Sequence, residues 1–264
     1  MKKNLRRWAL LATAVLVLAA AALCIYQFAP GKAPLARALK PQLVLLTPQS
    51  SASTGQGEPL VLINRDHPCP YAAPDDLINL YAQKDRGFSL ASSQIELTSE
   101  TFQAAKAMFA AAAADGVEGF ILSSGYRDRQ AQQAEYEAQP TLAAPPGSSE
   151  HESGLAFDVT AYGHRDFTRT PQYAWLYANC WNYGFILRYP SDKTLATGTP
   201  AESWHYRYVG LPHSRIMGEQ GLCLEEYLDY IRTVGVIRAD YDGQAWFIEA
   251  DSQGVVRAYA VPQS

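Results

Sequence analysis

Two histidines and one aspartate from separate segments place the strongest constraint on how this chain can fold. His151 and Asp158 lie seven residues apart around the small residues Gly154 and Ala156, whereas His205 lies in a distant segment. Two imidazoles and one carboxylate are the ligand count of a catalytic zinc site that keeps its fourth position for water. If the three side chains form such a site, the fold must bring His205 next to the other two.

Two charged side chains could serve such a centre. Glu202 lies three residues before His205, where a carboxylate can act as general base on a metal-bound water without binding the metal itself. Arg127 follows a Ser-Gly pair, and its planar guanidinium suits two parallel hydrogen bonds to a substrate carboxylate. Trp204 is an aromatic residue that could wall the cleft. If these groups converge, they predict a metallopeptidase that acts on a free C-terminus, although each alone is also consistent with an ordinary surface or core residue.

The other histidines and the cysteines are given no part in this centre. Three histidines have no comparable setting and are expected on the surface or in loops, namely His67, His164 and His213. Three cysteines follow the N-terminal segment, namely Cys69, Cys180 and Cys223. Their spacings match no zinc-ribbon pattern, so we expect thiols that pack as small buried apolar groups. Because three is an odd number, at most one intramolecular disulfide can form, and its pairing stays open.

The N-terminal segment predicts attachment to a membrane. Basic residues precede an apolar, uncharged stretch over residues 8–26. About 20 apolar residues can cross a bilayer, and basic residues before the span favour a cytoplasmic N-terminus. We therefore expect residues 1–7 in the cytoplasm, residues 8–26 as a single transmembrane signal anchor in the cell membrane, and the rest outside the cytoplasm. A cleaved signal peptide is the alternative, because the two kinds of segment share features.

Residues 27–59 are expected to form a flexible extracytoplasmic linker. Prolines interrupt this segment, and the Ser- and Gly-rich run over residues 50–57 has too little apolar content to form a core. The formal net charge of the chain is −4, and no dense basic stripe follows the N-terminus. Nucleic acid is therefore not an expected partner.

The globular part, residues 60–234, mixes helices and strands without a regular βαβ repeat. A short buried segment is expected at residues 60–63. Apolar periodicity, residue composition and helix-ending glycines predict helices at residues 98–114, 129–138, 172–183 and 224–234. Short apolar or alternating runs and aromatic and β-branched content predict strands at residues 120–122, 155–160, 185–189 and 204–209. The expected fold class is α+β, with a central, mostly antiparallel sheet and flanking helices. Residues 235–264 predict a C-terminal β-hairpin, with strands at residues 244–250 and 255–261.

Four motifs in matching order resemble the VanY-type D-alanyl-D-alanine carboxypeptidases. These enzymes belong to the LAS group of zinc metallopeptidases, which contains lysostaphin-type enzymes, D-Ala-D-Ala peptidases and the hedgehog domain. The resemblance covers roughly residues 60–234. The motifs are Ser-Gly-Tyr-Arg at residues 124–127, Ser-x-His-x-x-Gly-x-Ala-x-Asp at 149–158, Tyr-Gly-Phe-Ile-Leu-Arg-Tyr-Pro at 183–190 and Glu-x-Trp-His-Tyr-Arg-Tyr-Val-Gly at 202–210.

The resemblance implies roles for individual residues and a LAS/hedgehog-like fold. The positions that match His151, Asp158 and His205 bind one zinc ion in that family, and the position that matches Glu202 is the catalytic base. The position that matches Arg127 helps to hold the substrate carboxylate. Possible aids in substrate binding are Ser149, Gln130 and Gln133. This chain departs from the family pattern at Asp128 and Ser203, where Ser and Pro are common, and neither change removes a needed chemical group.

The implied activity is hydrolysis of the terminal D-Ala-D-Ala bond of peptidoglycan stem peptides or precursors. An L,D-carboxypeptidase that trims tetrapeptides and a dipeptidase are alternatives with the same chemistry. A zinc-containing cell-wall-binding protein without turnover is the alternative from another class. The presence of Glu202 and Arg127 argues against it, because binding alone needs no general base.

Overall fold

The computed structural model describes residues 60–83, 86–163 and 165–261. The expected cytoplasmic segment, signal anchor and linker, residues 1–59, lie outside this part of the chain, and so does His164. Within the described ranges, none of the helices has the length and apolar character needed to cross a bilayer.

The described residues form three β-sheets and six α-helices, joined by short 3-10 turns. The strands are β1 (Leu77–Asn79), β2 (Ser89–Leu90), β3 (Glu96–Thr98), β4 (Phe120–Ser124), β5 (Ala156–Ala161), β6 (Phe185–Tyr189), β7 (Glu202–Tyr208), β8 (Val236–Tyr241), β9 (Gln244–Ala250) and β10 (Val256–Ala260). The helices are α1 (Ser99–Ala114), α2 (Arg129–Ala138), α3 (Pro171–Asn179), α4 (Thr194–Thr197), α5 (His213–Gln220) and α6 (Leu224–Val234).

The central sheet has five strands in the order β2-β4-β5-β7-β6. Only the short β2 runs parallel to its neighbour, and the other pairs are antiparallel. The predicted α+β class with a largely antiparallel sheet is therefore confirmed. Strands β1 and β3 form a separate antiparallel pair, and β8, β9 and β10 form a three-stranded antiparallel sheet.

One face of the central sheet packs against α1. The Phe109 ring of α1 lies 4.8 Å from the Phe120 ring and 6.0 Å from the Phe157 ring, measured between centroids. Phe157 is fully buried in this core. Because neighbouring side chains of a strand point to opposite faces, the packing of Phe157 turns Asp158 toward the other face of the sheet.

A second apolar cluster joins α6 to the C-terminal strands. Leu228 and Ile231 of α6 are buried in this cluster with Ile237 and Ile248, and Ile186 of the central sheet belongs to it as well. The two strands of the predicted hairpin are present as β9 and β10, and they pair in antiparallel register. The additional strand β8 was not predicted.

An Asp-Gly turn produces the pairing of β8 with β9. Asp242 has φ 51° and Gly243 has φ 79°, which are the left-handed values that a tight hairpin turn requires at both central positions. Asp-Gly between two alternating segments is a strong hairpin signal. The sequence therefore contained the information for this third strand.

Helix α5 was also not predicted, and it corrects the expectation for His213. The side chain was expected on the surface or in a loop, but it is buried at the start of α5. His213 Nδ1 lies 2.7 Å from the Tyr227 hydroxyl, so the ring is satisfied in its neutral form. Burial lowers the pKa of His213 to about 3. His67 is exposed, as expected.

The structure also tests the expectations for the three cysteines and for the length of α3. The three cysteines that follow the N-terminal segment are free and buried, which confirms their expected role as small apolar groups. The helix predicted over residues 172–183 is shorter, because α3 ends at Asn179 and a 3-10 turn continues to Tyr183. Gly184 then adopts φ 88°, which ends the turn before β6.

Candidate metal centre

Strand pairing places two of the three predicted ligands side by side. Asp158 of β5 lies opposite His205 of β7 in the antiparallel register. Directly opposed residues project their side chains from the same face of the sheet. His205 Nδ1 accordingly lies 3.1 Å from Asp158 Oδ1.

The third ligand comes from a 3-10 turn before β5. The Ser149 hydroxyl accepts a hydrogen bond from the His151 amide at 3.3 Å, which caps the turn. Gly154 ends the turn with φ 69°, a left-handed conformation that glycine adopts without a steric penalty. The chain then enters β5, and His151 Nε2 lies 3.3 Å from Asp158 Oδ2.

The three donor atoms all lie within 4.8 Å of one another. Ligands placed about 2.1 Å from a tetrahedral zinc ion lie roughly 3.4 Å apart. The two distances from the Asp158 carboxylate, 3.1 Å to His205 and 3.3 Å to His151, are close to that spacing. The convergence that the sequence required is therefore confirmed.

The outward-facing ring nitrogens leave a metal-binding nitrogen on each histidine. His151 Nδ1 lies 2.7 Å from the Gly125 carbonyl, which can only accept, so this nitrogen carries the hydrogen and Nε2 offers its lone pair. His205 Nε2 lies 3.2 Å from a Glu150 carboxylate oxygen, so Nε2 donates and Nδ1 is the candidate ligand. Lone pairs directed at one carboxylate require a cation between them, and the donor set of two nitrogens and one oxygen fits zinc.

The close approach of these ionisable groups shifts their pKa values. Burial would raise the pKa of Asp158, but His151 and His205 outweigh it and hold the pKa well below its usual value. Burial would lower the pKa of His205, but the carboxylates of Asp158 and Glu150 prevail and raise it to about 9. Without a metal, a proton on His205 therefore supplies the cation. Metal binding must displace that proton.

Glu202 lies beside the centre rather than among the ligands. Its Oε2 atom is 3.8 Å from His205 Nδ1, which is too far for a hydrogen bond. Burial raises the pKa of Glu202 to about 7, the nearby Asp158 and Glu150 carboxylates raise it too, and His205 opposes them. A carboxyl group with this pKa exchanges a proton readily near neutral pH.

An irregularity in β7 lets Glu202 and His205 reach the same cavity. Residues three apart on a regular strand point to opposite faces. Here Leu187 pairs with Tyr206 while Tyr189 pairs with Glu202, so β6 advances two residues where β7 advances four. The resulting bulge re-aims the intervening side chains, as bulges near functional sites do.

Arg127 projects from the end of β4 into the same cavity. The preceding Gly125 is required by close packing, because a Cβ atom there would lie only 2.4 Å from the Glu96 carbonyl oxygen. The Arg127 amide donates to the His151 carbonyl at 3.2 Å, which ties the two segments together. The nearest described acid, Glu135, is 3.9 Å away, and the buried Arg127 Nε has no hydrogen-bond partner. Part of the guanidinium is thus free to bind an anion.

The cavity has a volume of about 800 Å³ and contains all of these groups. Ser149 and Trp204 line it, whereas Gln130 and Gln133 do not. Both glutamines are exposed on α2. The amide of Gln133 donates instead to Glu137 at 2.6 Å, so the structure does not bring these two residues to the site.

The inward-facing glutamine of α2 is Gln132. Its amide donates to the Ala144 carbonyl at 2.7 Å, and Ala144 belongs to the wall of the cavity. Asp128 caps the start of α2 by accepting a hydrogen bond from the Ala131 amide at 2.7 Å. The departure from Ser at this position therefore preserves a good helix cap.

A buried set of charged residues behind His205 was missed by the sequence reasoning. Glu150 is fully buried, and so are Arg188 and Arg207, each of which binds its Oε1 atom. A signal for this set existed, because Arg188 and Arg207 interrupt apolar strand patterns. A charged residue at a core-facing position needs a buried partner.

Two imidazoles, one carboxylate, a nearby free acid and a guanidinium in one cavity form a candidate centre for a single metal ion. Residues 94–211 match the family described as VanY, D-alanyl-D-alanine carboxypeptidase. A D-alanyl-D-alanine carboxypeptidase of Enterococcus faecium is 42% identical over 193 residues, which cover 72% of this chain and 63% of that protein. The match thus spans slightly less than two thirds of that relative.

Solved structures show the same relationship. The structure of VanYB in complex with D-alanine-D-alanine is 39% identical with a TM-score of 0.51, and the match covers 65% of this chain and 97% of that chain. The LdcB LD-carboxypeptidase is 29% identical with a TM-score of 0.56, and the match covers 64% of this chain and 84% of that chain. This chain belongs to the VanY family of D-alanyl-D-alanine carboxypeptidases, as its motifs indicated.

Proposed function

We propose that this chain is a zinc-dependent carboxypeptidase that hydrolyses the terminal D-Ala-D-Ala bond of peptidoglycan stem peptides or precursors. The observation that carries the proposal is the convergence of His151, Asp158 and His205 in one cavity, next to Glu202 and Arg127. Membership of the VanY family and the D-alanine-D-alanine bound to the VanYB relative support the substrate class.

Arg127 would bind the free carboxyl terminus of the substrate. Its buried Nε lacks a hydrogen-bond partner, and Glu135 approaches only to 3.9 Å. A guanidinium can donate two parallel hydrogen bonds to a substrate carboxylate. This contact would place the last peptide bond at a fixed distance from the histidines, which is how an enzyme selects the end of a chain.

Glu202 would move the protons of the reaction. His151, Asp158 and His205 would hold a zinc ion, which would polarise the scissile carbonyl and lower the pKa of a water molecule beside it to about 7. Glu202 would accept a proton from the attacking water as the water oxygen bonds to the scissile carbonyl carbon, and its own pKa near 7 permits this at neutral pH. The same carboxyl group then donates that proton to the nitrogen of the leaving D-alanine.

The size of the cavity favours a substrate longer than a dipeptide. Its volume of about 800 Å³ lies toward the upper end of ordinary ligand sites. The lining of the cavity includes α4 and residues 198–200 as well as residues 139 and 141–144. A stem peptide could occupy this cavity while its last residue contacts Arg127.

An L,D-carboxypeptidase that trims tetrapeptides is the second candidate. The LdcB LD-carboxypeptidase superposes with a TM-score of 0.56, against 0.51 for VanYB, although its sequence identity is lower. Both reactions use the same metal, base and carboxylate clamp. They differ in the configuration of the residue before the scissile bond.

Release of D-alanine by the zinc-loaded full-length protein would test the proposal. Three substrates distinguish the candidates: a pentapeptide muropeptide ending in D-Ala-D-Ala, a tetrapeptide muropeptide and free D-Ala-D-Ala. Release from the pentapeptide supports the proposal, release from the tetrapeptide alone assigns the L,D-activity, and release from the dipeptide alone assigns a dipeptidase. Failure to release D-alanine from all three with zinc bound would refute an enzymatic function and favour a binding protein.

We further propose that residues 8–26 anchor the protein in the cell membrane and that residues 27–59 hold a catalytic domain, residues 60–234, outside the cytoplasm. The support is the length and apolar character of the segment and the basic residues before it. Residues 235–264 form the C-terminal extension. N-terminal sequencing of the protein recovered from membranes tests the anchor, because a cleaved signal peptide would leave a new N-terminus after residue 26.

A further inference from the structure

We propose that Glu150 is a positioning residue that orients the metal ligand His205. We infer that a buried ion pair between Arg188 and Glu225 extends this support to α6, a helix that follows residues 94–211, which match the family description. The inference rests on the proposed zinc function.

Glu150 contacts the side of His205 that faces away from the metal-binding atoms. Its Oε2 atom lies 3.2 Å from His205 Nε2. An acceptor there holds the hydrogen on Nε2 and leaves the Nδ1 lone pair toward Asp158. A carboxylate behind a ligand histidine fixes the orientation of the ring and strengthens it as a ligand.

Two arginines fix Glu150 in turn. Arg188 Nε lies 2.8 Å and Arg207 Nη1 lies 2.7 Å from Glu150 Oε1, so Oε2 is left for His205. The side chains of all three charged residues are fully buried. Arg207 also donates to the Tyr208 carbonyl at 3.0 Å and to the Val61 carbonyl at 2.8 Å, which anchors it to the surrounding backbone.

Arg188 connects this set to α6. Its Nη1 and Nη2 atoms bind the two carboxylate oxygens of Glu225 at 2.9 and 2.6 Å, which is a bidentate pair. The Glu225 side chain is 15% exposed and lies in the first turn of α6. The family match ends at residue 211, so Glu225 belongs to a part of this chain beyond that match.

Stability alone does not account for these charges. Replacing a buried ion pair by apolar residues of similar volume is often neutral or stabilising. A purely structural network would therefore have no need to direct a carboxylate at a metal ligand. The contact between Glu150 and His205 indicates that these buried charges also position a metal ligand.

Three substitutions in the full-length protein test the proposal. Glu150→Gln keeps the side-chain length and removes the charge, and Glu225→Gln removes the charge that supports Arg188. Glu226→Gln is the matched control, because Glu226 is the next residue and binds Lys193 at 2.8 Å and the Cys223 amide at 3.0 Å. None of its described contacts involves Arg188.

Zinc affinity, measured by competition with a chromogenic chelator, is the main readout. Loss of an outer partner of a ligand histidine weakens metal binding by about 10- to 100-fold, and we expect a loss in this range for Glu150→Gln. We expect a smaller loss for Glu225→Gln, at or below the roughly tenfold end of this range, and none for Glu226→Gln. The visible spectrum of the cobalt-substituted protein should change in the first two variants only, since it reports the ligand geometry. The value of kcat should fall with KM nearly unchanged, because Arg127 lies outside the network.

Several outcomes would overturn the proposal. Unchanged zinc affinity and cobalt spectrum in both test variants would do so. Equal losses in Glu225→Gln and Glu226→Gln would assign the effect to general destabilisation of α6. If Glu150→Gln does not fold, the comparison of Glu225→Gln with Glu226→Gln decides, and loss of the fold in Glu225→Gln alone would limit the network to a folding role. Zinc titration needs no turnover, so its result stands even if no substrate releases D-alanine.

Discussion

Replacement of Glu202 by glutamine separates proton transfer from metal binding. The substitution keeps the size of the side chain and removes its ability to accept a proton. The nearest described polar contact of the Glu202 carboxylate is His205 Nδ1 at 3.8 Å, beyond hydrogen-bond range. We therefore expect the Glu202→Gln protein to fold and to retain one zinc ion per chain.

The expected loss of activity follows from the role of a general base. Proton transfer by a positioned side chain contributes about 10²- to 10⁴-fold, which corresponds to roughly 2.7–5.4 kcal/mol of transition-state stabilisation. The base acts when it is ionised, so activity falls as pH falls through its pKa. With a Glu202 pKa of about 7, the ionised fraction rises from about one tenth at pH 6 to about nine tenths at pH 8. The value of kcat/KM of the unaltered enzyme should rise about tenfold over that interval.

The assay is release of D-alanine from a pentapeptide muropeptide between pH 5.5 and 8.5, with zinc content measured on the same samples. The matched control is Asp66→Asn, which removes another carboxylate from the cavity wall. We expect it to keep both the rate and the pH dependence. Loss of zinc in Glu202→Gln, or a rate within a few-fold of the unaltered enzyme, would refute the assignment of Glu202 as the base.

Three further measurements test the binding of the substrate carboxylate by Arg127, the role of Asp158 as a metal ligand and the burial of His213 as a neutral ring. Arg127→Met should lower kcat/KM by roughly 1.5–3 kcal/mol, about 10- to 150-fold, for a free C-terminal carboxylate. The Arg127→Met substitution should have little effect on the same peptide with an amidated C-terminus. Equal losses of kcat/KM on the free and the amidated peptide would exclude a role of Arg127 in binding the carboxylate. Zinc at about 100 times its dissociation constant should stabilise the chelator-treated protein by about 2.7 kcal/mol in thermal unfolding. If zinc stabilises an Asp158→Ala protein by the same amount, Asp158 is not a metal ligand. The His213 pKa of about 3 lies below that of an unfolded chain, so its contribution to stability is complete above about pH 6.5 and is lost as pH falls, by about 2 kcal/mol at pH 5. Chemical unfolding should show a smaller acid loss in His213→Gln, and identical pH dependence of both proteins would contradict the buried neutral ring.

Local patterns were sufficient for much of the secondary structure. The expected bounds of α2, α6 and β6 agree with the structure. Residues 129–138 are rich in Gln, Glu and Ala, residues 185–189 are a short run that is mostly apolar, and residues 224–234 have an apolar face and end before Gly235. The information for each element is therefore local. β8 has a comparable local signal in Asp242 and Gly243, the turn residues that join it to β9.

The choice of ligands could also be predicted from the sequence, because metal chemistry restricts the residue types. His151, Asp158 and His205 were chosen for their imidazole and carboxylate groups, and the structure brings all three together. Gln130 and Gln133 were chosen by position in a motif alone. The orientation of a helix decides which of its side chains face a cleft, and α2 turns both of them to the solvent.

The sequence by itself determined the kinds of side chain available to a metal, a proton and a carboxylate, since those properties belong to single residues. Only the tertiary structure decided which ring nitrogen of each histidine faces Asp158, and how a bulge in β7 lets Glu202 reach the cavity. It also decided that Glu150 lies between His205 and two buried arginines. These features depend on the pairing of strands and on side chains as many as 57 positions apart, as for Glu150 and Arg207, and a local pattern carries no record of such pairings.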